Sequence, residues 1–241
     1  MPAKKLAQNK VAVITGGGSG IGLAIARIFA ASGYSVVITG RDAKRLQKAA
    51  ANISSDKKQV TGISCDVRDS LSVKKLFQEI NKQHSTIDVL VNNAGVAHSL
   101  APVDQLPVET WKEVIDTNLT GTFLVTRAAL PLMRAGGTIV NNLSVAALQP
   151  FAGMSAYNAS KFGALGFTHA LREELRKHGI RVLALLPGAT DTEIWSQFWP
   201  DAPRAKMISA ETVAQAVFHA VSAPAEATIE EMRIGPAAGV L

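Results

Sequence analysis

Two periodicities alternate along the chain. Short apolar runs rich in β-branched residues, such as "VAVIT" and "SVVIT", give way to longer segments such as "IGLAIARIFA", where apolar residues recur every three or four positions. The first kind reads as strands buried on both faces, the second as helices with one apolar side. On this pattern strands fall at residues 11–15, 35–39, 60–64, 88–92, 138–143, 181–186 and 231–234, and helices include 21–31, 71–83 and 212–222. Strands alternating with helices build a parallel sheet covered on both faces. The expectation is therefore an α/β protein with a doubly wound, seven-stranded parallel sheet. No Pro/Gly/Ser linker divides the pattern and no repeat interrupts it, so residues 1–241 are read as one domain.

Composition narrows this picture. Hydrophobic residues make up 47% and charged residues 18%, as in a folded globular protein. The longest apolar stretches are broken by residues such as Arg27 and Gly33, so no membrane-spanning segment is read. The opening "MPAKKLAQNK" lacks an apolar core and is not read as a secretory signal. Cys65 is the only cysteine, which precludes an intrachain disulfide and suits a reducing, cytoplasmic location. The net charge of +6 raises the question of nucleic acid. The basic residues are scattered, with one local cluster at Arg41, Lys44 and Arg45, so no nucleic-acid surface is expected. The five histidines show no metal-ligand spacing, and no metal is expected.

Ligands of doubly wound sheets bind beyond the carboxyl ends of the strands, where strand order reverses. The candidate chemistry lies there. After the first strand comes "TGGGSGIG", residues 15–22, running into a helical pattern. Glycines let backbone approach a phosphate closely, and a helix N-terminus presents free N–H groups to it. The spacing is Gly16, Gly20, Gly22 and not G-x-G-x-x-G, since Ile21 stands where the last glycine would fall. A tight turn alone would also require glycine, so both readings stand at this point. The second strand ends "VVITGRDAKRL". Gly40 occupies the place of the acid that binds the ribose hydroxyls of NAD, and Arg41 follows, suited to the 2′-phosphate of NADP. Asp42 could serve the ribose or cap the next helix. NADP(H) is expected ahead of NAD(H).

Together these residues resemble the short-chain dehydrogenase/reductase family over nearly the whole chain. The resemblance rests on "TGGGSGIG", "NNAG" at 92–95, Asn118 in "DTNLTGTF", Ser144 in "NNLSVAA", "YNASK" at 157–161 and "LLPGATDT" from Leu185. The order and spacing of these motifs, thirteen residues from Ser144 to Tyr157 and four on to Lys161, set them apart from chance. The resemblance implies a Rossmann fold with a catalytic group of Asn118, Ser144, Tyr157 and Lys161. It implies cofactor contacts from Gly16, Gly18, Ser19, Gly20, Ile21, Gly22, Arg41, Asp66, Val67, Asn92, Ala94, Gly95, Tyr157, Lys161, Pro187, Gly188, Thr190 and Thr192. It also implies hydride transfer between a nicotinamide and a small carbonyl or alcohol substrate, of the carbonyl or oxo-acid reductase type. The C-terminal "ATIEEMRIGPAAGVL" departs from the "TG…GG" ending of the acyl-carrier-protein reductases in the family.

Tyr157 and Lys161, four residues apart, share one helix face. An ammonium about 4 Å from a phenol is worth on the order of 4 kcal/mol at an effective dielectric near 20, enough to lower the phenol's pKa by two or so units. The expectation is a tyrosine poised as general acid and base, with Ser144 beside it on the substrate oxygen. On the same helix Ala156, Ala159, Ser160, Gly163, Gly166 and Ala170 form a small-residue stripe. It serves close packing on a neighbouring helix of this chain or on another copy, and the resemblance points to a homotetramer. Residues 188–208, with Trp195, Phe198 and Trp199, break the regular pattern. They close over the substrate or anchor the loop to the body, with Trp195 as the substrate contact expected. Val145, Phe151 and His98 are further candidates for the pocket wall. A non-catalytic NADP(H)-binding sensor and an NAD-dependent alcohol dehydrogenase are the competing readings; the sensor's mark would be a missing Ser, Tyr or Lys.

Overall fold

The computed structural model describes residues 10–56 and 58–239; the stretch "MPAKKLAQN", with its reading as no leader, lies outside them. Seven strands form one parallel sheet. They are β1 (Val11–Thr15), β2 (Ser35–Gly40), β3 (Val60–Ser64), β4 (Ile87–Asn92), β5 (Met133–Asn142), β6 (Arg181–Pro187) and β7 (Glu231–Ile234). Their spatial order is β3-β2-β1-β4-β5-β6-β7, all neighbours parallel. The helices are α1 (Gly20–Ala31), α2 (Ala43–Ile53), α3 (Ser70–Gln83), α4 (Val108–Ile115), α5 (Gly121–Ala129), α6 (Ser155–Arg176) and α7 (Ala210–Val221). This is the doubly wound α/β fold that the alternation predicts.

The continuous apolar runs are explained by two cores, one per face. Alternate strand residues Ala12, Ile14, Val36, Ile38, Val91 and Leu185 pack with Ile25 and Phe29 of α1 and Val213 and Val217 of α7. Their neighbours Val11, Val13, Val37, Leu90, Ile139 and Val182 pack with Leu76 and Ile80 of α3, Val125 of α5 and Leu171 of α6. A strand serving both cores has no polar face to offer, so its sequence does not alternate.

Two elements depart from the pattern. β5 starts at Met133, five residues before the predicted boundary, because the pairing shifts there: Met133 opposes Ile87 while Thr138 opposes Val89. The intervening "RAGG" bulges, with Gly136 at φ +87°, and polar, glycine-rich residues conceal the strand from a hydrophobic count. Secondly, α4 passes into α5 through a π-helical turn, Asp116–Thr120, which holds Asn118. Such bulges are frequent at functional sites.

Candidate active site

The switch point lies between β1 and β4, where the crossovers leave in opposite directions. A polar lattice holds it. Thr15 Oγ1 accepts the backbone N–H groups of Asn93 and Ala94, both at 2.9 Å. Asn93 Nδ2 donates to the carbonyls of Thr15 (2.9 Å) and Gly16 (3.1 Å), and Asn142 Nδ2 donates to Asn93 Oδ1 at 2.8 Å. The glycine turn is therefore shaped from across the sheet. Gly16 and Gly20 take left-handed backbone, φ +64° and +51°. A Cβ at Gly22 would stand 2.4 Å from Asn93 Nδ2 and 2.5 Å from Gly16 O, which leaves glycine as the residue that fits. Gly18 has a different status, since its nearest neighbours, on Arg45 and Leu46, are 3.6 Å away. Ser19 caps α1 with extended backbone and no side-chain bond, so the helix N-terminus keeps its N–H groups for an anion.

Beyond β2, Asp42 accepts Arg45 N–H at 3.0 Å and caps α2, which settles its role as a cap. Arg41 lines the cavity, 3.6 Å from Glu113. Arg45, a residue the motifs do not single out, also lines it, donating to Gly18 O at 3.3 Å and pairing with Glu193. Gly40 is not demanded by packing, because a Cβ there would meet only Leu46 Cδ2 at 3.8 Å.

At the other end stand Ser144, Tyr157 and Lys161. Ser144 follows β5, its Oγ accepting Ala146 N–H at 3.1 Å, and its hydroxyl acts on the Tyr157 phenol, drawing its pKa down. α6 presents Tyr157 and, one turn on, Lys161. Lys161 Nζ donates to Asn142 O at 3.1 Å and lies 5.5 Å from the centre of the Tyr157 ring. The lysine is 6% exposed, and burial pulls its ammonium down to about 8. Burial likewise pushes the Tyr157 phenol above its usual value, with the Ser144 hydroxyl pulling the other way. This corrects the sequence expectation of a lowered phenol. Both partners are desolvated together, and that burial outweighs what the ammonium, turned onto a backbone carbonyl, returns to a phenolate.

Asn118 is buried in the π turn. Its Nδ2 donates to Val96 O (2.9 Å) and Ser160 Oγ (3.0 Å), and its Oδ1 accepts Val96 N–H at 2.9 Å. It staples the loop after β4 to α6. A Cβ at Gly95 would lie 3.3 Å from Asn118 Oδ1 and 3.8 Å from Lys161 Nζ, so the bare glycine keeps open a small polar gap between these groups.

A single cavity of about 730 Å³ joins the two ends. Of the residues expected at the site, Gly16, Ser19, Gly20, Ile21, Arg41, Ala94, Gly95, Ser144, Tyr157, Lys161, Pro187, Gly188, Thr190, Thr192 and Trp195 line it. The others stand back. Asn92 points into the protein, donating to Thr126 Oγ1 and Asn141 Oδ1 at 2.8 Å each. Asp66 is gripped by Arg68, whose Nη2 donates at 2.7 Å, and this holds its carboxyl below the usual range. Val67 packs where a Gly121 side chain would be. Val145 and Phe151 reach the cavity wall; His98 does not, being buried with Nδ1 2.8 Å from Ser99 O. The wall over the reacting end is the segment after β6. There Trp195 lies against Phe198 (4.8 Å between ring centres) and anchors through Nε1 to Thr190 O at 2.8 Å. Gln197 Oε1 accepts Ala97 N–H at 2.9 Å, tying this segment to the loop after β4. The segment thus both lines the cavity and is fastened to the body. Asn93 and Asn142 lie inside quoted motifs without being singled out there, and Gln197 lies in none; each acts through a contact distant in sequence.

A doubly wound sheet with a glycine turn at its switch point and a Ser–Tyr–Lys group across the same cavity defines a dinucleotide-binding oxidoreductase class. Residues 10–203 match the family profile described as short chain dehydrogenase, and the chain belongs to that family. It is 35% identical over 239 residues to sulfoacetaldehyde reductase 2 of Chromohalobacter salexigens, covering 95% of this chain and 94% of that one. Among solved structures it is similar to a short chain dehydrogenase from Burkholderia cenocepacia in complex with NADP, with TM-score 0.86 and 32% identity over 95% of this chain and 98% of that one. It is also similar to a 3-ketoacyl-(acyl-carrier-protein) reductase from Brucella melitensis complexed with NADH, with TM-score 0.86 and 28% identity over 94% and 97%.

Proposed function

We propose that the protein is an NADP(H)-dependent oxidoreductase that interconverts a carbonyl and a secondary alcohol. The carrying observation is the convergence of Ser144, Tyr157 and Lys161 on the cavity that the glycine turn opens at its other end. The residues present fit the cofactor. The uncapped α1 N-terminus and the left-handed Gly16 and Gly20 suit a diphosphate, and Arg41 with no acid at Gly40 suits a 2′-phosphate. Ala94, Gly95, Pro187, Gly188, Thr190, Thr192 and Lys161 would hold the nicotinamide half, while Asp66 and Val67 would edge the adenine. Asn92, being buried in side-chain bonds, drops from this set.

When bound, the nicotinamide supplies hydride to a carbonyl carbon or accepts it from an alcohol. In reduction, Ser144 hydrogen-bonds the substrate oxygen and Tyr157 gives that oxygen its proton. The phenol, pushed up by burial, is protonated at neutral pH and so carries the proton that reduction requires. Lys161, kept charged below about pH 8, stabilises the phenolate left behind. The gap beside Gly95 suits a water through which Asn118 links Lys161 to solvent. In oxidation the same groups run in reverse. The buried Cys65, whose thiol burial pushes up, fits a cytoplasmic enzyme in which it takes no part.

A second reading, NAD(H) use, is favoured by the Glu113 carboxylate beside Arg41 and by the NADH-bound reductase among the similar structures. Titration of cofactor fluorescence separates the two: NADPH should bind more tightly than NADH, and Arg41→Ala should abolish the difference. Tyr157→Phe should bind NADPH as the wild type does and lose several orders of magnitude in kcat. A variant with near-full turnover would overturn the mechanism, whereas a wild type that binds NADPH and turns over no carbonyl compound or alcohol would return the sensor reading.

A further inference from the structure

We propose that Arg233 anchors an anionic group on the substrate, so that the compound reduced here is a short ketone or aldehyde carrying a carboxylate or sulfonate. This rests on the reading of Ser144 and Tyr157 as the carbonyl site. The sheet lays the cavity out in order: Arg41 follows β2, the glycine turn follows β1, Ala94 follows β4, Ser144 follows β5, and Pro187 ends β6. Arg233 lies in β7, which closes that row at the end opposite the adenosine half, and it lines the same cavity as Ser144 and Tyr157.

Strand parity fixes the side to which it projects. Met232 and Ile234 pack with the core under α1 and α7. Arg233 shares the other face with Glu231, whose carboxylate meets His169 Nε2 of α6 at 2.7 Å. Arg233 therefore stands on the α6 side of the sheet, the side that carries Tyr157 and Lys161. Two strand spacings separate β5 from β7, roughly 10 Å between backbones, and the arginine side chain spans much of that distance itself. The remainder accommodates a substrate with only a few bonds between its carbonyl and its anion.

Charge makes the same distinction. The other cations of the cavity are engaged: Arg41 faces Glu113, Arg45 faces Glu193, and Lys161 is committed to Asn142 O and the phenol. Arg233 has no ion pair among the described residues, and as a guanidinium it offers a carboxylate two parallel hydrogen bonds. A cation at the mouth of a cleft also raises the local concentration of anionic ligands before contact.

The test uses the intact enzyme with NADPH. Pyruvate, acetoacetate, levulinate and sulfoacetaldehyde are assayed, each keto acid against its methyl ester, on wild type, Arg233→Ala and Arg233→Lys. The expected result is a kcat/KM for the best acid at least tenfold above that for its ester. Arg233→Ala should lose that advantage, mostly through KM, while its ester activity stays at the wild-type level, and Arg233→Lys should recover part of it. The ester serves as the internal control for folding. Equal use of acid and ester by the wild type would overturn the proposal, as would an equal loss of both in Arg233→Ala. Equal turnover of acid and ester by the wild type, with Tyr157→Phe inactive on both, would leave the carbonyl site standing while the anion anchor falls. No turnover of any compound while NADPH still binds would also overturn the anchor.

Discussion

Replacing Gly40 with aspartate puts a carboxylate at the end of β2, beside Arg41. The structure accepts the change. The new Cβ meets only Leu46 Cδ2 at 3.8 Å, an ordinary contact, and the glycine's backbone is not left-handed, so little folding cost is expected. Its effect on NADPH is electrostatic. A pair of unit charges 4 Å apart interacts by about 1 kcal/mol in bulk water and about 4 kcal/mol at an effective dielectric near 20. The Arg41 side chain is 57% exposed, which argues for the lower part of that range, while the 2′-phosphate's second charge argues upward. The net expectation is about 1.5–3 kcal/mol, a loss of roughly 10- to 100-fold in NADPH affinity. NADH should hold or gain, since the carboxylate can accept a hydrogen bond from a ribose hydroxyl, worth about 1 kcal/mol. Fluorescence titration of both cofactors on wild type, Gly40→Asp and Arg41→Ala measures each term. A folded Gly40→Asp protein with NADPH affinity within about twofold of wild type would refute the reasoning, since so small a change is inconsistent with a phosphate bound at that point.

Two further outcomes are expected. Burial takes the Lys161 ammonium from 10.5 to about 8 in the folded chain, so the folded state prefers the neutral amine and wild-type stability should rise between about pH 8 and 10.5, the penalty being complete below pH 8. At about 1.4 kcal/mol per unit the penalty reaches about 3 kcal/mol. Lys161→Met should therefore be inactive yet 1–2 kcal/mol or so more stable at pH 7, after allowance for the unsatisfied Asn142 carbonyl, and it should lack the alkaline rise; thermal melts across pH that show no difference would count against the buried charge. On α6, Gly163 is explained within the chain, because a Cβ there would press on Leu119 at 2.9 Å, whereas Gly166 faces open space with Phe162 and Phe123 exposed nearby in the sequence of α6 and α5. Light scattering should report a homotetramer and Phe162→Asp a smaller species; a monomeric wild type would sink the assembly reading.

The strand and helix order was legible because a sheet buried on both faces forces continuous apolar runs, and crossover helices force a 3.6-residue period. The glycine turn, Arg41 and the Ser–Tyr–Lys spacing were legible for a related reason: turn chemistry and i, i+4 neighbours are local properties of a chain. Asp42 illustrates the boundary, since the sequence allowed a cap or a ribose ligand and the hydrogen bond from Arg45 decided for the cap.

What remained hidden depended on contacts between distant segments. The early start of β5 arises from a bulge whose polar residues mimic a loop. Asn92, inside a motif, turned out to brace β4 against Thr126 and Asn141, while its neighbour Asn93 shapes the glycine turn from across the sheet. The phenol's direction of shift was also beyond the sequence. Spacing brings Tyr157 and Lys161 to one face, but burial depends on everything packed around them, and it outweighs an ammonium directed onto Asn142 O. Arg233 became a candidate only when the sheet order brought the last strand to the end of the cavity. Sequence by itself determined which elements form and which local chemistry they carry; the tertiary structure alone decided which side chains share a volume and how much water reaches them.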